Sequence, residues 1–364
     1  MTSDRRTSIL MVARGLDPVG TGRQVELVAE GLREAGWLVR LAVTTAGGAV
    51  PASLARAGFP VHRLSGRPRV DLAAAAGLVR LVRSIRPSVV HAWGLSQARL
   101  VAAVRPLLPR TAAVVHVGVE PRPGGAAWPL RLADRVIASS PEVAAACGRA
   151  GVPAGRIDLV PPGIVAASPA GRSRDDLAAR LGLAVGKTWT LCVAPLEPAS
   201  RLERLLWAID QLGVVHAGLE HVLVGAGPLR RLVERRARLQ EIDERLRVVD
   251  HCDCLPDLLR QVRLVWQSGS VALGGAILDG MALGVPAVAV ESGAARQLIV
   301  DGETGRVVPA DPASEFPRRA LGIIEDDALA ARYGDAARMR AAEAFPPGES
   351  IRRHVAAVEA AITR

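Results

Sequence analysis

Short apolar segments alternate along the sequence with stretches whose apolar residues recur at helical spacing. The first example lies in "TSILMVARGLDPVGTGRQVELVAEGLREAGWLVRLAVTT" (7–45), where an apolar segment leads into a glycine-containing loop. Val25, Val28, Ala29 and Leu32 then mark one face of a helix, and a second apolar segment follows. Parallel strands need a helical crossover of this kind, so the stretch predicts a βαβ unit.

The alternation continues in two series. A chain of 364 residues is too long for one ordinary core, and the low aromatic content of 3% indicates cores of Ala, Val and Leu. We therefore predict an α/β fold of two facing Rossmann-like, doubly wound parallel-sheet domains, at 1–165 and 188–346, with a cleft between them. The predicted strands lie at 88–94, 112–119, 134–140 and 157–163 in the first series, and at 190–196, 220–227, 245–250, 263–269, 285–291 and 305–310 in the second.

Each predicted strand ends where glycine, proline or a small polar residue begins. This pattern places ligand contacts at the carboxyl ends of the strands. Between the two series, a linker at 166–187 carries a short helix that either Ser173 or Asp175 could cap.

The formal net charge is +10, and nearly all of the positive charge is arginine because Lys187 is the only lysine. The arginines alternate with acids in stretches such as 230–247, which is typical of a solvated helix face. Few aromatic residues are present to stack on bases and there is no basic tail, so nucleic acid is not an expected partner. Phosphorylated substrates or an anionic membrane surface fit the charge better.

Several classes of protein are disfavoured by the motifs that are missing. The segment "HCDC" (251–254) has ligand-type residues, but no second cluster completes a tetrahedral zinc site, so no metal is expected. The sequence has neither a P-loop nor a G-x-S-x-G motif. Four cysteines make no disulfide framework for this length, and no apolar segment approaches a membrane span. We expect a cytoplasmic protein, with peripheral contact at the inner membrane face.

Eight motifs follow one another in an order that resembles a known family, the GT-B fold retaining glycosyltransferases often called group 1 or family 4. One such match alone would be weak, whereas the whole series in this order is specific, and the resemblance covers nearly the whole chain. The motifs are "GTGRQVELVAEGLREAGWLV", "PSVVHAWG", "ADRVIASSPEV" and "GVPAGRIDLVPPGI" in the first half, and "LVGAGPLRRLVE", "CLPDLL", "DGMALGVPAVAV" and "DGETGRVVPADP" in the second.

This resemblance implies a nucleotide-sugar donor on the second domain and an acceptor on the first. The acceptor would be a polysaccharide, a glycolipid or other lipid-linked molecule, or a small molecule. It also implies that no cofactor and no obligatory metal are needed, and that a final helix at 347–364 packs back on the first domain. In such a reaction, positive charge and backbone N–H groups stabilise the departing diphosphate.

In the first domain, the resemblance and the local pattern single out four residues. Gly20 and Thr21 open a helix whose N-terminus can hold phosphate oxygens, although a tight βα turn explains the same residues. His116 ends a predicted strand and matches a family histidine beside the transferred sugar, with a structural histidine as the alternative. His91 matches a family histidine nearer the interior and is interpreted as structural.

In the second domain, Gly225 and Gly227 form a loop that would border the nucleotide, with Pro228 as the expected first residue of the next helix. The family's diphosphate clamp of arginine and lysine falls here on Pro195 and Ser200. Each lost charged contact should cost about 2 to 4 kcal/mol of barrier. Arg201, one position further on, is the expected replacement for the lysine and the second expected catalytic residue beside His116.

The family's two glutamates fall on Val271 and Asp279. Asp279 keeps a carboxylate that can accept from a ribose, whereas Val271 accepts nothing. Between them, the backbone N–H groups of Gly274 and Gly275 are free to contact sugar or phosphate. A further family acid is replaced by Arg296, so that Arg201, Arg204 and Arg296 are the expected phosphate contacts.

The sequence therefore leaves two main hypotheses. The first is a divergent glycosyltransferase of the hexosyltransferase type, in which arginines hold the donor in a new way. The second is a noncatalytic scaffold that binds a nucleotide, a glycan or a protein partner, because the clamp charges and the first glutamate are replaced. A sugar-nucleotide epimerase of similar architecture is a third alternative.

Overall fold

The structure is a computed structural model that describes residues 7–16, 19–44, 54, 57–64, 72–108, 111–121, 127–166 and 171–363. The chain forms two compact units. The first unit comprises Met1–Gly163 together with Pro347–Arg364, and the second comprises Ile164–Pro346. The sequence predicts a linker at 166–187 between domains at 1–165 and 188–346. In the structure this stretch belongs to the second unit.

The first unit contains a seven-stranded parallel sheet in the order β3-β2-β1-β4-β5-β6-β7. Its order reverses between β1 and β4, which is the mark of a doubly wound sheet. The strands are β1 (Ser8–Ala13), β2 (Leu38–Val43), β3 (Val61–Arg63), β4 (Val89–Trp93), β5 (Ala112–Val117), β6 (Arg135–Ala138) and β7 (Ile157–Leu159). The helices between them are α1 (Gly20–Glu34), α2 (Leu72–Ile85), α3 (Leu95–Val104), α4 (Trp128–Arg131) and α5 (Pro141–Arg149).

Both faces of this sheet are buried. Along β1, Leu10 and Val12 belong to one apolar cluster, while Ile9, Met11 and Ala13 belong to another on the opposite face. Successive side chains of a strand point to opposite faces, so a fully apolar strand needs cover on both sides. This requirement explains why the strand segments read as continuous apolar runs instead of alternating ones.

The second unit contains a six-stranded parallel sheet in the order β10-β9-β8-β11-β12-β13. Its order reverses between β8 and β11. The strands are β8 (Thr188–Val193), β9 (Leu219–Val224), β10 (Leu246–Val249), β11 (Leu264–Gln267), β12 (Ala287–Val290) and β13 (Gly305–Val308). The helices are α6 (Arg174–Leu181), α7 (Leu202–Val215), α8 (Arg230–Leu239), α9 (Leu255–Leu259), α10 (Ile277–Ala282), α11 (Gly293–Leu298), α12 (Glu315–Glu325) and α13 (Asp327–Ala344).

Helix α6 is anchored at its N-terminal end. Of the two predicted caps, Ser173 is the one observed: its hydroxyl accepts from the Asp176 backbone N–H at 3.1 Å, and the Asp176 carboxylate accepts in return. Arg174 stacks over the ring of Trp189 at 3.7 Å and donates to the Val185 carbonyl at 2.9 Å. These contacts hold the segment against the second sheet.

The final helix α14 (Pro347–Ile362) packs within the first unit against α1 and against strands β4, β5 and β6. The Ser350 hydroxyl donates to the Pro161 carbonyl at 2.9 Å. Gly163 permits the close approach, because a Cβ there would lie 2.8 Å from the Cα of Pro347. The buried positions follow helical spacing: Ser350, His354, Ala357, Val358 and Ala361.

The predicted α/β class, with two Rossmann-like doubly wound parallel-sheet domains, is confirmed. The predicted cleft between the domains stays a prediction. Two local expectations are wrong. The strand predicted at 157–163 stops at Leu159, since Pro161 and Pro162 cannot donate to a ladder. Helix α8 begins at Arg230, so Pro228 lies in the turn before it. Among the described residues, no helix is long and apolar enough to cross a membrane.

Candidate functional site

The candidate site is the carboxyl edge of the second sheet, where β9, β8 and β11 lie side by side. Strand β8 leads there into the loop 194–201, β9 into 225–229 and β11 into 268–276. In open α/β sheets, ligands bind outside the carboxyl ends of the strands at the point where strand order reverses. The reversal between β8 and β11 therefore makes this edge the expected ligand-binding position of the second sheet.

Gly225 and Gly227, which are predicted to border the nucleotide, lie in the loop after β9 and contact the loop after β8. A Cβ on Gly225 would collide with the Ala194 carbonyl oxygen, and one on Gly227 would lie 2.5 Å from the Leu196 carbonyl oxygen. The Leu196 N–H donates to the Ala226 carbonyl at 3.1 Å. The glycines are thus required for contact between backbones, whether or not a ligand is bound.

Ser200 stands where the resemblance expects a lysine, and its side chain faces inward. It is 1% exposed, and its hydroxyl donates to the Pro195 carbonyl at 2.6 Å. The Ser268 hydroxyl, just beyond β11, donates to the Ser200 carbonyl at 2.8 Å. Pro195 and Ser200 together fix the path of the loop and place no charge at the edge.

Arg201 follows directly and is the N-cap residue of α7, with φ 49° and ψ 45°. A left-handed backbone costs a non-glycine residue about 1 to 2 kcal/mol, and such strain is found disproportionately at functional sites. Its side chain is 57% exposed, and the guanidinium lies 3.7 Å from a Glu203 carboxylate oxygen. Among the described residues, Arg201 thus offers a positive charge beside the edge that a single long ion pair holds.

The other two predicted phosphate contacts differ in setting. Arg204 lies in the first turn of α7, half-buried. Arg296 lies on α11 and pairs with the Glu291 carboxylate at 2.7 Å. Because Glu291 already neutralises part of its charge, Arg296 is the weaker candidate for holding an anion.

The loop after β11 has three consecutive residues with positive φ: Leu273 at 55°, Gly274 at 73° and Gly275 at 58°. A Cβ on Gly274 would collide with the Leu298 side chain, and one on Gly275 would lie 2.5 Å from the Val193 carbonyl oxygen. Leu273 is a strained residue, since only glycine adopts this conformation without cost. The predicted glycines therefore shape this loop against β8 and α11.

Asp279 is the third residue of α10 and is 4% exposed. A carboxylate in the first turn of a helix is stabilised by the helix dipole. Val271, at the position of the other expected carboxylate, is buried within the apolar cluster of the second unit. The pair of glutamates expected from the resemblance is thus reduced to one buried carboxylate.

The sequence prediction missed Gln267, the last residue of β11. Its side chain is 2% exposed, and neither amide atom has a hydrogen-bond partner within the described ranges. The amide oxygen faces Gly275: a Cβ added there would lie 2.9 Å from this oxygen. The same Cβ would lie 3.5 Å from a methyl group of Val271. A buried amide without a partner is costly, so Gln267 marks a place where water or a ligand group is needed. The signal in the sequence is a polar residue ending the otherwise apolar strand "LVWQ".

The remaining predicted residues lie in the first unit, away from this set along the chain. Gly20, with φ 55°, is the first residue of α1, and Thr21 is half-buried beside it. One turn along, the Gln24 amide donates to the Gly163 carbonyl at 2.6 Å and accepts from the Gly163 N–H at 3.1 Å. These contacts fix the beginning of α1, while residues 17 and 18 of the preceding loop lie outside the described residues.

His116 lies at the carboxyl end of β5 as the sequence predicts, followed in the strand only by Val117, which pairs with Ala138. Its ring is buried, stacks on Trp93 at 4.3 Å between centroids, and lies 5.6 Å from His354 of α14. Burial, together with the nearby His354, holds the pKa of His116 well below its usual value. His116 is therefore neutral at pH 7 and part of a packed ring cluster.

His91, which the sequence predicts to be structural, belongs to the same cluster. It lies buried beside Trp93 at 5.0 Å and His354 at 6.2 Å. In the part of the chain that the structure describes, neither of its ring nitrogens has a hydrogen-bond partner. Nor is any group of three or more His, Cys, Asp or Glu side chains arranged there to hold a metal ion.

Two Rossmann-like domains in one chain, with a loop-lined edge on the second, define the architecture of the GT-B class. Comparison with sequence families agrees: residues 18–167 match "Glycosyltransferase Family 4", and residues 187–326 match "Glycosyl transferases group 1". The chain thus carries a glycosyltransferase family 4 domain followed by a glycosyltransferase group 1 domain.

Solved structures share this fold across nearly the whole chain. HepE from Anabaena, in complex with UDP and glucose, has a TM-score of 0.76 at 20% identity and covers 97% of this chain and 100% of its own. Sucrose-phosphate synthase from Thermosynechococcus elongatus has a TM-score of 0.74 at 19% identity, covering 96% and 97%. At these identities the likeness concerns the fold alone.

One curated relative is more similar over a shorter stretch. Phosphatidyl-myo-inositol mannosyltransferase of Mycolicibacterium smegmatis is 30% identical over 148 residues, which is 38% of this chain. The matched stretch spans only 36% of that relative's length.

Proposed function

We propose that the protein transfers a sugar from a nucleotide-sugar donor to an acceptor, with the donor at the carboxyl edge of the second sheet. The observation that carries the proposal is the set of three loops packed at the reversal between β8 and β11, within a group 1 glycosyltransferase domain. The structure of HepE contains UDP and glucose, which supports a nucleotide sugar as the donor class.

The edge supplies a specific set of donor contacts in this proposal. Gly225 and Gly227 border the nucleotide, since no side chain stands between it and their backbone. The Gly274 and Gly275 loop faces the sugar and phosphates, and Asp279 accepts from the ribose. Each group holds the ligand in its ground state, so these contacts mainly set affinity.

Arg201 has a different part in the mechanism. The diphosphate gains negative charge as the glycosidic bond to it breaks, and a nearby guanidinium is worth most at that moment. Arg201 is exposed and only loosely paired, which suits this task better than Arg296 with its 2.7 Å partner. Arg204, one turn along α7, adds to the local positive charge.

The first unit takes the acceptor in this proposal, with Gly20 and Thr21 at its glycine loop. His116 is the proposed group beside the transferred sugar, but its burial against Trp93 and His354 also supports a purely structural role. Retention of configuration, and transfer without a metal or cofactor, belong to the proposal as consequences of the family resemblance.

The acceptor class and location are proposed in broad terms. A lipid-linked acceptor, with peripheral contact at an anionic inner membrane face, is supported by the net charge of +10 and by the similarity to an enzyme whose name includes a phosphatidylinositol lipid. A glycan or a small molecule fits the same donor chemistry.

A noncatalytic scaffold is the second candidate function, and one observation favours it. Ser200 and Pro195 are used to tie the loop together, and Val271 lies in the apolar cluster, so none of the three replaces the missing charges. In that case the edge would bind a nucleotide without splitting it.

A donor screen separates the two functions. Wild-type protein is incubated with UDP-, GDP- and ADP-sugars, with and without candidate acceptors, and release of nucleoside diphosphate is measured. The transferase hypothesis predicts turnover with one base and sugar in preference to the others. If nucleotide sugars bind but nucleoside diphosphate is released under none of these conditions, the noncatalytic scaffold is the correct hypothesis.

A further inference from the structure

Two of the four cysteines lie together in the segment that connects β10 to α9. The Sγ atoms of Cys252 and Cys254 are 2.9 Å apart, and the residues are 5% and 0% exposed. Cys254 is the N-cap residue of α9. The other two, Cys147 and Cys192, are free thiols buried in the apolar clusters of different units.

The short contact between the two sulfurs gives the paired thiols different pKa values. A hydrogen bond from the Cys252 thiol lowers the pKa of Cys254 to about 7, and the same bond holds the pKa of Cys252 far above its usual range. Burial alone raises the pKa of Cys147 to about 11 and that of Cys192 to about 12. Since the thiolate is the form that reacts, Cys254, which has the lowest pKa of the four thiols, is the one expected to react first when peroxide reaches the pair.

Charged neighbours hold the pair in place. Asp253, between the cysteines, accepts from Arg180 at 2.6 Å and from Arg172 at 3.5 Å. Arg172 also donates to the buried Asp257 carboxylate at 3.2 Å. The Asp253 carboxylate opposes the Cys254 thiolate and the two arginines favour it, and their ion pairs fix the turn that carries both thiols.

We propose that Cys252 and Cys254 form a redox-active dithiol that a hydroperoxide converts reversibly into an intrachain disulfide. Sulfurs 2.9 Å apart on residues two positions apart need to approach by less than 1 Å to reach a bond length of about 2.05 Å. In the described part of the chain no third metal-binding side chain joins them, so oxidation is the chemistry that the pair can perform unaided.

The reaction balances in two steps. The Cys254 thiolate attacks one oxygen of hydrogen peroxide, the O–O bond breaks, and a sulfenic acid and hydroxide form, the hydroxide taking up a proton to become water. The Cys252 sulfur then loses its proton and attacks the Cys254 sulfur, the S–O bond breaks, and a second water leaves. Two thiols lose two electrons and peroxide gains them. A small-molecule thiol reverses the change by exchange.

The position of the dithiol connects it to the candidate donor edge, an extension that rests on the proposed function. Strand β10 pairs with β9, and the Gly225 N–H donates to the Val249 carbonyl at 2.8 Å. Cys252 follows Val249 by only three residues. Closing the disulfide shifts this connection beside Gly225, so the oxidised protein should bind the nucleotide more weakly, by roughly 3- to 10-fold, a shift of about 0.7 to 1.4 kcal/mol.

The dithiol is tested on the full chain with hydrogen peroxide, followed by alkylation, intact mass and peptide mapping. We expect the loss of two hydrogen masses, a Cys252–Cys254 bond, and full recovery with a small-molecule thiol. Cys147→Ser and Cys192→Ser should form the bond as the wild type does, whereas Cys252→Ser and Cys254→Ser should not. Before oxidation, Cys254 should alkylate on the order of 10-fold faster at pH 7 than Cys147.

Three results would overturn the dithiol: equal, slow alkylation of all four thiols, added oxygen without a disulfide, or a bond between two chains. The connection to the donor edge is tested separately, by nucleotide affinity before and after oxidation, with Cys252→Ser as the control that oxidation should leave unchanged. Equal affinity in both states of the wild type refutes the coupling alone. Reduced protein that binds no nucleotide refutes the proposed function instead.

Discussion

The two units have the same kind of sheet but complete its carboxyl edge in different ways. In the second unit, loops after β8, β9 and β11 pack backbone against backbone, and Gly227 and Gly275 leave no room for side chains between them. In the first unit, strands β4 and β5 carry rings at this end, and helix α14 covers them with His354. The second sheet therefore ends in closely packed loops, whereas the first sheet ends in polar rings that helix α14 buries.

The largest effect that this contrast predicts is on catalysis at Arg201. Removing its charge should lower turnover by roughly 30- to 1,000-fold with little change in donor affinity, because the charge matters most as the diphosphate departs. Arg201→Gly relieves the left-handed strain that Arg201→Ala retains, so both should lose activity equally if charge is the cause. Steady-state kinetics of nucleotide release provides the measurement.

Arg352→Ala is the matched control for this change, since Arg352 is an exposed arginine of α14 paired with Glu349. It should leave turnover unchanged. Full activity in Arg201→Gly combined with loss in Arg201→Ala would assign the effect to the backbone, and full activity in both would remove Arg201 from the mechanism.

The next effect concerns the glycine-packed edge of the second unit. Gly227→Ala should lower the free energy of unfolding by about 2 to 4 kcal/mol, because the Leu196 carbonyl oxygen occupies the space of the new methyl group. Gly148→Ala is the control: it lies on α5 with no heavy atom within 4 Å of the added Cβ, and it should stabilise by up to about 1 kcal/mol. Urea unfolding measures both. Similar stabilities would show that the loops are not in the close contact described.

The ring cluster of the first unit predicts a pH effect of similar size. Burial lowers the pKa of His354 to about 4, so the folded state holds the ring neutral while the unfolded chain binds a proton near pH 6.5. Its contribution is complete above pH 6.5 and is lost as the pH falls through about 4, a change of about 3 kcal/mol. His91 and His116 act in the same direction, since their pKa values are lowered too.

Chemical denaturation between pH 7 and pH 4 measures this dependence. His354→Leu should show a shallower loss of stability than the wild type over the same interval. Identical slopes in the two proteins would mean that the buried rings are not the groups that titrate.

Asp279 should show the smallest effect. Asp279→Asn should weaken nucleotide binding by about 1 to 3 kcal/mol, since a neutral amide replaces a charged acceptor of the ribose hydroxyls. Calorimetric titration with the preferred nucleotide measures the change. A variant that folds and binds the nucleotide as tightly as the wild type would show that the carboxylate does not contact the ribose and contributes only to helix α10.

Periodicity predicted the fold well because each strand and helix leaves a local pattern. The glycines at 225, 227, 274 and 275 were also singled out from the sequence; Gly225, Gly227 and Gly275 approach the backbone of β8 and the loop after it, whereas Gly274 lies against Leu298. What the sequence could not indicate is side-chain direction: Ser200 faces inward to the Pro195 carbonyl, and Gln267 turns its amide into the interior. Neither orientation follows from composition or spacing.

His116 shows a second limit. Its position near the end of β5 suggested a ligand contact, but the ring that lies beside it, His354, comes from the last helix of the chain. A contact between such distant parts of the sequence depends on how α14 packs, which no local pattern encodes. The Cys252 and Cys254 pair was visible in the sequence, yet the inequality of its thiols required the observed hydrogen bond.

Hydrogen exchange with and without donor is the most direct test of where the nucleotide binds. The wild type is compared alone and with saturating UDP-, GDP- or ADP-sugar, and exchange is followed in peptides of both units. The account predicts slower exchange at 194–201, 225–229 and 268–279 with the preferred donor. Protection confined to peptides of the first unit would contradict it.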